Sequence, residues 1–216
     1  VKKYLLAVAL FLPVYCAIVV CCAPSLHPLY TDEDVIFDEA LIGVWQEEGA
    51  KDMWEFTRME GEDAYRVVYT DEDGVPGELI AHLVLIEDRK FLDFYPGDIT
   101  DLEVNAVYFA HLVPAHRFVL VEQIEPTLRT RIMELDWLES FLKENPGAIA
   151  HEFIEESGGE SQLVLTASTE ELQAFMIRHI DTEGAYGEVT ELFRVEEGAE
   201  EVTGEEDVES VESESD

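Results

Sequence analysis

The chain has 216 residues, enough for one ordinary domain with a substantial core and tails at its ends. It carries 49 carboxylates against 13 lysines and arginines, for a formal charge of −36. Such a field repels polyanions and excludes nucleic acid as a partner. Beyond residue 3 the only lysines are Lys51, Lys90 and Lys143. A carboxylate excess spread along the whole chain is the composition expected of a protein that folds in concentrated salt. There the screening length falls to about 3 Å at 1 M. Recruitment of divalent cations or of a basic partner is the competing explanation. In this background neighbouring Asp and Glu are expected everywhere, so they nominate neither catalytic acids nor calcium sites.

The chain begins with Lys2-Lys3 and an apolar run from Tyr4 to Ala23 that holds all three cysteines, Cys16, Cys21 and Cys22. A short basic start, an apolar stretch and a terminal cysteine form the pattern of a bacterial lipoprotein leader. Such a leader needs an apolar residue three places before the modified cysteine and a small one just before it. Cys22 has Val19 and Cys21 at those places, whereas Cys21 follows Val20 and Cys16 follows the bulky Tyr15. Residues 1–22 are therefore expected to be a signal peptide with Cys22 as the lipid anchor, and Cys21 as the next candidate. Several acyl chains, palmitate among them, would hold the protein durably. The expected location is the cell membrane or outer membrane, on the extracytoplasmic side. Two alternatives stay open: an uncleaved span, since about 20 apolar residues suffice, and ordinary secretion, for which Cys21-Cys22-Ala23 is a loose cleavage site. After Cys22 no cysteine remains for a disulfide.

Residues 23–38 read as a tether, with Pro24, Pro28 and the acidic Thr31-Asp-Glu-Asp34. Leu29, Tyr30, Val35, Ile36 and Phe37 interrupt it and predict partial docking on the domain. From Leu41 onward strand signals dominate. Large and polar side chains alternate in Trp54–Arg58 and in Ala64–Thr70, as in half-buried strands. Asp71–Gly74 is a polar turn, and Glu78–Glu87 a strongly apolar strand. Further strands are expected at Lys90–Tyr95, Val107–Val113, Arg117–Gln123 and Thr127–Glu134, with Pro114 breaking the ladder between two of them. Asp136-Trp-Leu-Glu139 and Ser168-Thr-Glu-Glu171 have the spacing of capping boxes and predict two helices, ending near Asn145 and Ile180. Strands at Ile149–Glu155, Gln162–Ala167 and Val189–Val195 complete the pattern, with a turn at Gly158-Gly159. Residues 196–216 are Glu, Ser, Val and Gly without an aromatic, a tail unable to bury enough surface to order itself.

The domain thus spans residues 39–195. Its fold class is mainly β: an antiparallel meander closing into a barrel, which removes the sheet edges, with two short α-helices in the C-terminal half. Its first strand carries Gly43-Val44-Trp45, and here the chain resembles the lipocalin superfamily. The resemblance implies a lipocalin-like β-barrel with Trp45 at a closed base and an arginine near the chain's end over that ring, for which Arg194 is the positional match. The Thr-Asp-Tyr motif of that family has no counterpart; Leu92-Asp93-Phe94-Tyr95 is a loose echo. The whole arrangement is also similar to bacterial lipoproteins that combine a short tether, a Gly-x-Trp strand and a β-rich domain. That likeness implies location and fold and supplies no activity.

Trp45, Trp54, Phe56, Tyr65 and Tyr69 are the candidate lining of an internal ligand cavity; filling a solid barrel core is the alternative role. Of six histidines, His111 and His116 flank the Pro114 turn and can approach each other, but no thiolate or third ligand accompanies them, and no metal is expected. His82 has the opposite parity to Leu79, Ala81 and Leu83, which points it toward solvent or a polar pocket. No Gly-x-Ser-x-Gly elbow, phosphate loop or dinucleotide fingerprint occurs, so no catalytic residue, cofactor or enzymatic activity is expected. Two readings of function remain. One is a membrane-tethered barrel holding a small apolar ligand. The other is an envelope structural or protein-interaction lipoprotein of unnamed partner, with an exposed apolar patch expected on the helix of Trp137, Leu138 and Phe141.

Overall fold

A computed structural model describes residues 22–97, 105–155 and 161–196. The leader through Cys21, the Gly158-Gly159 turn and the tail from residue 197 lie outside the described residues. In chain order the elements are β1 (Val35–Ile36), a 3-10 turn (Glu39–Leu41), β2 (Gly43–Glu47), β3 (Met53–Arg58), β4 (Tyr65–Thr70), β5 (Pro76–Ile86) and β6 (Arg89–Pro96). Then follow α1 (Ala106–Phe109), β7 (Arg117–Gln123), β8 (Thr127–Arg131), α2 (Leu135–Glu144), β9 (His151–Glu155), β10 (Ser161–Leu165), α3 (Thr169–His179) and β11 (Thr190–Arg194).

Strands β2 to β8 form a meander in which each pairs antiparallel with the next. The chain then leaves the sheet through α2, the β9–β10 hairpin and α3. It returns as β11, which inserts between β8 and β2. The result is an 8-strand closed antiparallel barrel. β1 adds on the outer side, pairing Val35 with Val84 and Ile36 with Leu83 of β5.

Two cores follow from which faces each strand must bury. In β3 and β4 the alternation is clean: Trp54, Phe56, Tyr65 and Val67 point inward while Glu55 and Arg66 face water. In β5–β7 the apolar runs are continuous because both faces are covered. Leu83, Leu92, Phe94 and Val119 fill the interior. Val84, Phe91, Phe118 and Leu120 face outward against Leu138 and Leu142 of α2, Leu163 and Leu165 of β10, and Leu172, Phe175 and Met176 of α3. The excursion between β8 and β11 is thus a lid on the outer wall of the barrel. Trp137 and Phe141 stack on each other at 5.0 Å and join this outer core, so the patch expected on their helix is half-buried by α3.

Two local expectations differ from the structure. No strand forms over Val107–Val113; that stretch holds the single turn of α1 and a loop. The reason is topological: β6 pairs with β5 on one side and β7 on the other, which leaves no edge for another strand. The box at Asp136 also does not form. The helix starts two residues earlier, at Leu135, with Glu134 as an N-cap that makes no side-chain capping bond, and Asp136 falls in the first turn. Its start is set by tertiary pairing, the Glu134 amide donating to the Ala185 carbonyl at 2.9 Å. The box at Ser168 does form, with the Ser168 hydroxyl accepting from the Glu171 amide and Glu171 accepting from the Ser168 amide.

Trp45 is fully buried and its indole N–H donates to the Leu41 carbonyl at 2.8 Å. The Arg194 guanidinium lies 4.4 Å from the centre of that ring and donates to the carbonyls of Ile42 (2.5 Å) and Ala40 (2.6 Å). The arrangement implied for Trp45 and Arg194 is therefore present. Gly43 is required beside it: its φ is +134°, and a Cβ there would run into Nη1 of Arg194. Gly43→Ala is expected to destabilise the fold by about 1–3 kcal/mol, through left-handed backbone strain and displacement of the clamp. Urea denaturation measures this, and a loss below about 0.5 kcal/mol, the range of an ordinary surface change, would contradict it.

Candidate functional site

Of the five aromatics nominated as a lining, Trp45 and Tyr65 are 0% exposed, Phe56 2% and Trp54 4%. They pack on one another and not around a space. Trp54 stacks on Tyr69 at 4.4 Å, and Phe56 meets Tyr65 edge-on at 6.2 Å. The Tyr65 hydroxyl donates to the Asp38 carbonyl (2.9 Å) and accepts from the Asp38 amide (2.7 Å). Burial pushes this phenol up to about 12. Tyr69 is half-buried, its hydroxyl 3.4 Å from Asp52. The void among Trp54, Phe56, Phe94, Leu128 and Leu192 measures about 10 Å³, room for about one water molecule. The Thr130 hydroxyl, buried with no hydrogen-bond partner among the described residues, lines that void.

On the outer surface a groove of about 330 Å³ gathers Arg89, Lys90 and Arg131. Its cations are committed: Lys90 to Asp38 at 3.3 Å, and Arg131 to the carbonyls of Gly187 (2.8 Å) and Tyr186 (2.9 Å).

The segment expected to be a tether is stitched to the domain. Ser25 and His116 exchange two backbone hydrogen bonds, at 2.9 and 2.8 Å. The Leu165 amide donates to the Pro24 carbonyl, and the Leu26 amide to the Leu165 carbonyl. From α3, Thr169 donates to the Pro28 carbonyl and Gln173 to the Leu29 carbonyl. This strap bridges β10 to the barrel wall, with the Leu29 side chain fully buried between them. Cys22 sits at its start, 5% exposed, with its thiol 3.4 Å from the Phe118 carbonyl. The Arg117 guanidinium donates to the Cys22 carbonyl. Burial, offset in part by Arg117, pushes the thiol up to about 12. A thiol in that state is a poor nucleophile. A thioether at this sulfur also requires Cys22 and Ala23 to turn outward. The strap's backbone pairing with β10 and the barrel wall begins at Pro24.

Beneath the strap lies a polar cluster that the sequence reading missed. Asp93 is 0% exposed; its carboxylate accepts from His116 Nδ1 at 2.8 Å and from the Leu29 amide at 2.8 Å. The proton on Nδ1 is thereby fixed by an acceptor-only partner. His82 stands opposite Asp93 in the β5–β6 register and stacks on Tyr30 at 4.3 Å, while His116 packs on Tyr95 at 4.5 Å. Burial holds the Asp93 carboxyl above its ordinary range, against His116 and the Leu29 amide, which pull it down. Burial holds His82 below its ordinary value, opposed by Asp93. A carboxylate orienting an imidazole is half of a nucleophilic triad. Here the adjacent Ser25 hydroxyl donates instead to the His27 carbonyl at 2.8 Å, so the pair serves as a clasp for the strap. His111 is exposed and apart from this cluster. Among the described residues no three His, Cys, Asp or Glu side chains gather as metal ligands.

Next to the strap the chain between β6 and β7 projects an apolar lobe. Val107 and Val113 are each 72% exposed, Tyr108 63%, and Phe109 and Leu112 are also open to water. The sequence signal for it is charge: from Asn105 to Val121 this acidic chain has no carboxylate.

No family model, curated protein or solved structure matches this chain.

The depressed His82 makes the clasp acid-sensitive. Below about 6.5 the unfolded chain binds a proton at His82 that the folded chain resists, so stability falls as pH drops through that range. His82→Gln should remove part of the loss between pH 7.5 and about 5.5. Chemical denaturation at the two pH values checks it, and equal losses in both proteins would exclude His82 as the source.

Proposed function

We propose that this protein is an extracytoplasmic lipoprotein, held to a membrane through acylated Cys22, that acts through its outer surface and has no internal small-molecule site. The observation that carries the reading is the filled barrel. Ligand pockets occupy about 300–1,000 Å³, whereas the interior void is about 10 Å³. Support for the tether comes from the leader pattern ending at Cys22. The strap adds to it, since its backbone pairing from Pro24 onward holds the chain just after Cys22 against the barrel. Among the described residues no helix is long and apolar enough to cross a membrane. The carboxylate-rich surface suits a concentrated-salt exterior, where its self-repulsion is screened.

Protein extracted from membranes provides the test. Its mature chain is expected to begin at Cys22 carrying a diacylglyceryl group and to stay with the membrane through salt washes. An unmodified N-terminus would remove the tether. Titration with long-chain fatty acids should leave the fluorescence of Trp45 and Trp54 without a saturable change. Stoichiometric quenching would instead return the barrel to ligand binding.

A further inference from the structure

We infer that the lobe from Asn105 to Pro114 is a second membrane contact, dipping into the bilayer that holds Cys22 and fixing the barrel's orientation on it; this rests on the tether proposed above. Three observations converge on lipid as the occupant. The first is composition. Val107, Tyr108, Phe109, Leu112 and Val113 face water on a stretch, residues 105–114, that carries no carboxylate, although Asp98, Asp101 and Glu103 precede it in the same connection. Apolar and aromatic side chains without fixed charge are what an interfacial element buries.

The second is position. The lobe returns to the barrel at His116 and Arg117, and these are the residues that bond Ser25 and the Cys22 carbonyl. Anchor and lobe therefore leave the domain side by side, and Leu26, 45% exposed, extends the apolar surface along the strap. The third is polarity of the barrel. The lobe follows the C-terminal end of β6, whereas the β5–β6 turn at Glu87-Asp88 and the last residue of β11, Arg194, lie at the other end. The described residues thus end, at Glu196, on the side opposite the lobe. The acidic turns at 48–52 and 71–74 share the lobe's end. Contact is accordingly confined to the lobe and strap, and zwitterionic lipid is the suitable surface.

Bimane attached at Val113→Cys, in protein reconstituted into phosphatidylcholine vesicles, tests this. Asp88→Cys, at the far end of β6, is the reference. Both positions are exposed turns, so folding is preserved. Brominated phosphatidylcholine should quench the label at Val113 at least about threefold more than at Asp88, given an interfacial depth of roughly 5–10 Å. Adding Val107→Asp and Tyr108→Asp should abolish the difference. Equal quenching at the two positions would overturn the lobe's role, as would a lobe found crosslinked to a co-purifying protein instead of quenched by lipid. Intact mass of the same samples reports the acyl group separately. A missing anchor with strong quenching at Val113 would thus fault the tether alone, and an acylated chain with a dry lobe would fault the lobe alone.

Discussion

Closure of the barrel by β11 is the constraint on which the rest of the structure depends. The strand arrives after a long excursion, and both of its neighbours, β8 and β2, would otherwise be open edges. Arg194 secures it by lying over Trp45 and binding the carbonyls of Ala40 and Ile42, which ties the end of the chain to the start of the domain. A cation over an aromatic face at an exposed position contributes about 0.5–1 kcal/mol, and here it also satisfies two carbonyls. With the edges gone, the inward aromatics have one another as partners. Among the described residues the interior is a packed core.

The outside of the barrel is not uniform. One wall, β5–β7, is covered by α2, α3 and the β9–β10 hairpin, so those strands are apolar on both faces. The strap seals the margin of that cover through Asp93, His116, Thr169 and Gln173. This makes the segment behind Cys22 a structural part of the domain. A force or restraint applied at Cys22 reaches β10 and β7 through backbone hydrogen bonds, without passing through a slack linker.

Much of this was legible in the residues. Period-two alternation located β3 and β4, and the apolar run within Glu78–Glu87 marked the strand β5. The resemblance carried by Gly43-x-Trp45 implied an arginine over the ring, matched by Arg194; the structure adds that a Cβ at residue 43 would meet that guanidinium. The parity of His82 pointed it to solvent or a polar pocket, and it stands opposite Asp93 in the β5–β6 register. Misreadings arose where tertiary pairing decided the outcome. Val107–Val113 has the composition of a strand but no edge to join, and Asp136 has the spacing of a cap while the Glu134–Ala185 contact sets the helix start. Asp93 was hidden because its partner lies 23 residues away and its role exists only once β6, β7 and the strap meet. Of the five aromatics offered as a lining, Trp45, Trp54, Phe56 and Tyr65 are buried and Tyr69 is half-buried; sequence alone did not say how closely they would pack.

Native-state hydrogen exchange tests the central claim, that the barrel is closed and its interior solid, most directly. Amides of β11 that face β2 and β8 are expected to exchange only through global unfolding, with the same free energy as those of β3 and β4. Exchange of β11 through a low-energy local opening, with β3 and β4 still protected, would contradict it. The barrel would then have a gate, and its interior would be accessible.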